Sequence, residues 1–101
     1  MPLDLDTGKL LKDHRPYIDS FGSGYFVRTF KQSINTGDLT WHKDSQGRLL
    51  IPMRGENWKL QFDNELPIIL EIGNVYEIMP EIYHRLIKGN GDLVLFVIPY
   101  S

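Results

Sequence analysis

The residues able to do metal chemistry in this chain are few, and their placement is selective. Of three histidines, His42 lies in Trp41-His42-Lys43-Asp44 and His84 closes Glu81-Ile82-Tyr83-His84. Both segments read as strand edges. Alternate residues of a strand face the same side, so His42 and Asp44 should point one way while Trp41 and Lys43 point the other. Imidazole nitrogen and carboxylate oxygen are donors that first-row divalent metals accept. His42, Asp44 and His84 are therefore expected to converge on one ion. Other chemistries lack their residues. With no cysteine, the chain has no thiolate ligand, thiol nucleophile or disulfide. It contains no glycine-rich phosphate loop, no His-Glu-x-x-His helix and no Gly-x-Ser-x-Gly elbow. Ser20, Ser23, Ser33 and Ser45 have no spacing that nominates a nucleophile.

Such ligands need elements to hold them, and the elements read as short strands. Tyr25–Phe30 is rich in aromatic and β-branched residues. Gly37-Asp38 marks a turn before Leu39–His42, and Gly47 marks another before Arg48–Met53. Arg54-Gly55-Glu56-Asn57 reads as a tight turn, after which Trp58–Phe62 alternates apolar and polar residues with period two. Ile68–Ile72, Val75–Met79, Tyr83–Lys88 and Leu93–Ile98 follow, and Gly89-Asn90-Gly91-Asp92 gives a hairpin signal between the last two. About eight short strands with no long helix predict an all-β chain, an antiparallel barrel or double-sheet jelly roll. Trp41, Trp58, Phe62, Tyr76, Tyr83 and Phe96 are expected to supply much of its core.

Composition narrows the partners. A length of 101 residues suits one domain. At 42% hydrophobic and 24% charged the chain is globular in character. A formal net charge of −2 gives no general attraction to nucleic acid or anionic lipid, so neither is expected as a partner. Met1–Asp6 is acidic and has no apolar core region, unlike a signal peptide. Leu93–Pro99 is too short an apolar run to span a bilayer. A cytoplasmic location is expected. Residues 1–23 differ from the rest, mixing charges, Pro2, Pro16, Gly8 and Gly22 with isolated apolar residues. They are read as an N-terminal extension, with a helical turn or two at Gly8–His14, that packs on the barrel of residues 24–101 or pairs with a second subunit.

In register, the candidate residues resemble the two motifs of the cupin family, the small double-stranded β-helix barrels. His42, Asp44, Arg48 and Gly55 fall on the first motif, and Gly73, Pro80 and His84 on the second. The resemblance covers roughly Leu39–Ile98. It implies that both segments fold onto adjacent strands and that their ligands meet in the barrel mouth. The departures are specific. The family's second histidine is Asp44 here, its glutamate is Arg48, and Ile82 stands where a glycine is common. Asp keeps the capacity to bind a hard cation. Arg is a fixed cation: turned inward, it would repel a metal, pair with Asp44, or take an anionic substrate in bidentate fashion. Arg48 and Tyr76 are the expected substrate-binding residues.

The resemblance implies a small molecule, anionic or neutral, bound at a divalent ion (Fe, Mn, Ni or Zn), and, for an enzyme, a dioxygenase, isomerase or lyase. Edge-to-edge homodimers are common among such barrels. A metal-free ligand-binding or interaction protein is the alternative, with Arg48 paired to Asp44. The set His42, Asp44, His84 is similar also to the facial triad of Fe(II) oxygenases. Their distal basic residue has no counterpart at Leu93–Leu95, and Arg85 should face away from His84. There is a looser resemblance to short cupin-like proteins of marine bacteriophages, with a similar Trp-His-x-Asp start and Tyr-His-Arg end.

Overall fold

The computed structural model describes residues 15–101. The helical turn expected at Gly8–His14 and most of the expected extension lie outside those residues. The described chain is eight strands and one short 3-10 helix: β1 (Ile18–Phe21), β2 (Phe26–Phe30), the helix Thr36–Asp38, β3 (Gly47–Glu56), β4 (Lys59–Phe62), β5 (Ile68–Ile69), β6 (Tyr76–Ile78), β7 (His84–Ile87) and β8 (Asn90–Tyr100). They form two antiparallel sheets. The larger has the order β1-β2-β8-β3-β6, the smaller β5-β4-β7. This is the all-β jelly-roll architecture that the strand spacing predicts.

Period-two alternation places the core. In β8, Leu93, Leu95 and Val97 are buried while their neighbours are partly exposed, as expected where one sheet face is covered. They meet Phe26 and Phe30 of β2, Leu50 of β3 and Ile78 of β6. The small sheet contributes Leu60, with Trp58 just ahead of β4 and Leu70 just after β5. Trp58 is fully buried, and its indole Nε1–H donates to the Gly91 carbonyl at 3.1 Å. A buried indole must place that donor somewhere, and the start of β8 accepts it.

Several local expectations are corrected. β3 runs straight through the turn expected at Arg54-Gly55-Glu56-Asn57 and ends at Glu56. Its register with β8 shifts between Pro52 and Arg54 and again between Arg54 and Glu56. These bulges absorb the turn-forming residues, and Gly55 at φ 117° takes a conformation that side chains disfavour. Pro52 is tolerated because β6 covers only Arg48–Leu50, leaving the following residues of β3 an edge. The hairpin signal at Gly89–Asp92 marks no hairpin: β7 pairs with β4, while β8 pairs with β2 and β3. The chain crosses there from one sheet to the other. Gly89 is required by close approach, since a Cβ would lie 2.1 Å from the Glu56 carbonyl oxygen and 2.4 Å from the Trp58 nitrogen.

Leu39–His42 is not a strand. The helix Thr36–Asp38 precedes it, capped by Asn35 Oδ1 accepting from the Gly37 N–H at 2.9 Å, and only His42 pairs. In the segment read as extension, Ile18–Phe21 forms an unexpected strand, β1, on β2. Ile18 and Phe21 stay largely exposed, so no apolar alternation announced it. Trp41 and Tyr83, expected in the core, are also about half exposed. Trp41 lies under the Arg85 guanidinium, 4.7 Å from its ring centroid.

Candidate metal centre

The backbone brings the two histidines together. His42 N–H donates to the His84 carbonyl at 3.0 Å, and His84 N–H returns the bond at 2.9 Å. Residues opposed in such an antiparallel bridge carry their side chains to the same face, and the two rings lie with centroids 4.3 Å apart. Each ring is then fixed from behind. His42 Nδ1 is 3.0 Å from the Thr40 carbonyl and His84 Nδ1 is 2.8 Å from the Ile82 carbonyl. A carbonyl accepts only from a protonated nitrogen, so in each neutral ring Nε2 holds the lone pair. An imidazole anchored through Nδ1–H to a backbone carbonyl is the arrangement that presents Nε2 to a metal.

Asp44 completes the set from the corner between that bridge and β3. Its carbonyl accepts from the Glu81 N–H at 2.7 Å, which ties the corner to the loop ahead of β7. Asp44 Oδ2 stands 3.5 Å from His84 Nε2 and 3.9 Å from His42 Nε2. One ligand atom from each of the three residues lies within 4.8 Å of the other two. Asp44 Oδ2 is buried with no hydrogen-bond partner. A buried carboxylate oxygen without a donor is costly, and two lone pairs and one anionic oxygen facing a common point suit a cation. The carboxylate is thus turned from its own turn toward the histidines.

Arg48 faces inward, as its register in β3 implies. Its Nη2 is 3.6 Å from Asp44 Oδ1, so the carboxylate shows one oxygen to Arg48 and the other to the imidazoles. Pairing with Arg48 and ligating an ion therefore use different oxygens. Arg48 Nε is buried and also has no partner. Tyr76 is not brought to this place. Its hydroxyl donates to the Ile69 carbonyl at 3.1 Å and accepts from the Glu71 N–H at 2.8 Å; it ties β6 to the β5 end.

The four residues His42, Asp44, His84 and Arg48 line a cavity of about 240 Å³ whose other walls include Leu50, Leu60, Ile78, Leu86 and Val97. Arg28 also lines it and was missed in the sequence. Phe26, Arg28 and Phe30 share one face of β2 by period two, and the two phenylalanines are buried; that alternation is the signal that could have found Arg28. Its charge is already matched, with Nε and Nη2 each donating at 2.8 Å to one oxygen of Asp19. Tyr17 lies against its guanidinium at 3.5 Å.

Of the two histidines, His42 is half-exposed and His84 is buried, 3% exposed. Burial lowers the pKa of His84 below its ordinary 6.5, with the nearby His42 and Arg48 adding to the effect against the Ile82 hydrogen bond and Asp44. The neutral ring is the form that binds metal. The same shift has a stability consequence. Below pH 6.5 the unfolded chain binds more protons at this position than the folded one, so folding stability is full above 6.5 and falls as pH drops toward the lowered value. Chelator-treated protein should therefore melt at lower temperature at pH 5 than at pH 7.5. His84→Gln should flatten that slope, and an unchanged slope would show that other groups carry it.

No protein-family model and no curated protein sequence matches the chain. Solved structures do. A cupin-2 domain protein from Shewanella frigidimarina aligns at a TM-score of 0.61 and 18% identity, covering 89% of this chain and 85% of that one. An Fe(II) HppE structure in complex with substrate aligns at 0.62 and 17%, covering 98% and 61%. The DMSP lyase DddQ from Ruegeria pomeroyi aligns at 0.62 and 13%, covering 76% of this chain but 37% of the lyase. These likenesses define the fold: the chain is built as a small cupin-like barrel. The phage-type likeness finds no support among them.

Proposed function

We propose that this chain is a metal-binding cupin that holds one divalent first-row ion through His42 Nε2, His84 Nε2 and Asp44 Oδ2 and takes a small molecule into the cavity beside it. The observation that carries the reading is the convergence of two backbone-anchored imidazoles on a buried carboxylate oxygen that has no other partner. Once bound, an ion with three protein ligands supplies a Lewis-acid centre with positions open to a small molecule. The chain's own groups do the rest. The Thr40 and Ile82 carbonyls hold the ring orientations, and the apolar walls give a small molecule surface to pack against. Arg48 offers a cation beside the ligands.

The same donor set is the two-histidine, one-carboxylate triad of non-haem Fe(II) oxygenases. Because the Fe(II) HppE structure shares the fold, an iron-dependent oxygenase is the second reading. Titration of untagged, chelator-treated protein with Zn(II), Ni(II), Mn(II) and anaerobic Fe(II), followed calorimetrically and by mass spectrometry of bound metal, tests both. One ion per chain at neutral pH is expected. No uptake of any of the four would overturn the reading, and a marked preference for Fe(II) over Mn(II) would favour the oxygenase version.

A further inference from the structure

Resting on that metal reading, we propose that the cavity is built for a short aliphatic carboxylate, and that this ligand and the metal ion strengthen each other's binding. The head group is set by charge. With neutral imidazoles, Arg48 and Asp44 nearly cancel, Arg28 is cancelled by Asp19, and Arg15 and Asp38 add one charge of each sign to the lining. A divalent ion added to that balance leaves surplus positive charge beside an apolar cavity, where it is poorly screened. An anion restores neutrality.

Arg48 specifies the kind of anion. Its guanidinium touches Asp44 only at 3.6 Å through Nη2, and its Nε is buried without a partner. A planar fork of N–H donors with unused capacity matches a carboxylate in bidentate geometry.

The cavity sets the tail. Beside the polar corner, Leu50, Leu60, Ile78, Leu86 and Val97 give the cavity apolar walls against which an aliphatic tail can pack; Arg15, Arg28 and Asp38 line it as well, and Arg28 is already held by Asp19. A cavity of about 240 Å³ is far larger than one water requires and has room for a short acid such as pentanoate. The charge argument also fixes the coupling. The anion is favoured only when the ion is present, and by linkage the ion gains as much from the anion as the anion gains from the ion.

Zn(II) titration of the full chain by calorimetry, alone and with saturating pentanoate or pentan-1-ol, tests this. Pentanoate should tighten zinc binding about tenfold, within the range of ordinary couplings, and pentan-1-ol should not change it. Arg48→Gln should still take up zinc yet lose the pentanoate effect, with its fold checked by circular dichroism. Equal zinc affinity with and without pentanoate overturns the inference while leaving the metal reading intact. An equal gain from the alcohol overturns the carboxylate assignment. Failure to bind zinc without any additive, with no uptake of Ni(II), Mn(II) or Fe(II) either, removes the metal reading and this inference together. The wild-type comparison needs no variant, so a poorly folded Arg48→Gln does not rescue the proposal.

Discussion

His84→Ala should abolish stoichiometric metal uptake. Loss of a partner that merely stands behind a ligand costs about 10–100-fold in metal affinity, and His84 is a proposed ligand itself, so affinity should fall by more than about a hundredfold. The ring is buried, so its removal also leaves a void, and loss of binding could follow from a damaged fold. His42→Ala separates the two causes. That side chain is 49% exposed, and truncating it removes a donor while disturbing little packing. Both variants should fail to bind zinc, nickel and manganese in calorimetry, with His42→Ala melting near the parent. A His42→Ala protein that binds as tightly as the parent would remove His42 from the ligand set.

The largest stability effect belongs to a buried side chain outside the cavity. Trp58→Ala should cost about 3–5 kcal/mol, the usual range for emptying a fully buried aromatic position. Trp58 is 0% exposed, and its indole ring is 6.2 Å between centroids from Phe30. The truncation also leaves the Gly91 carbonyl without its donor. A domain of this size is stable by only about 5–15 kcal/mol, and each kcal/mol moves the melting temperature by about 4–8 °C. A drop of more than about 12 °C is expected. Trp58 lies outside the cavity lining, so the folded fraction at low temperature should bind metal as the parent does. A fall of only a few degrees would show that Trp58 does not hold the sheets together as its burial implies.

What could be read from the residues follows from what periodicity encodes. β4 was legible because it buries one face, and burial on one face writes period two into the sequence; β2 and β8 were legible as short runs rich in aromatic, β-branched and apolar residues. The strand at Ile18–Phe21 was not, because its apolar residues face outward and it is held instead by the Arg28–Asp19 pair across β1 and β2. Turn residues misled at Arg54–Asn57 and Gly89–Asp92. There glycine serves a bulge and a close crossing, and the same residue type marks a hairpin. At the site, alternation placed His42 and Asp44 on one side, and the direction of Arg48 was left open until the structure turned it to the cavity. Alternation did not place Tyr76, whose hydroxyl is spent on backbone groups near β5. Nor could spacing show that the Asp44 carboxylate divides its oxygens between Arg48 and the histidines, which depends on one side-chain torsion.

The paired amide bonds between His42 and His84 join residues from opposite halves of the described chain. His42 is bridged to β7 of the small sheet, and the chain then turns through Asp44 into β3 of the large one. Contacts so distant in sequence form only after long loops have closed. In an unfolded chain His42 and Asp44 remain neighbours, but His84 is remote, and no three-donor cluster exists. The centre is therefore a product of folding and not a seed for it. An ion that binds the finished barrel and not the open chain adds to stability by mass action, by about 2.7 kcal/mol when free metal is a hundredfold above its dissociation constant. Metal supply would then set how long each copy of the chain survives heat or proteolysis, independently of any reaction performed in the cavity.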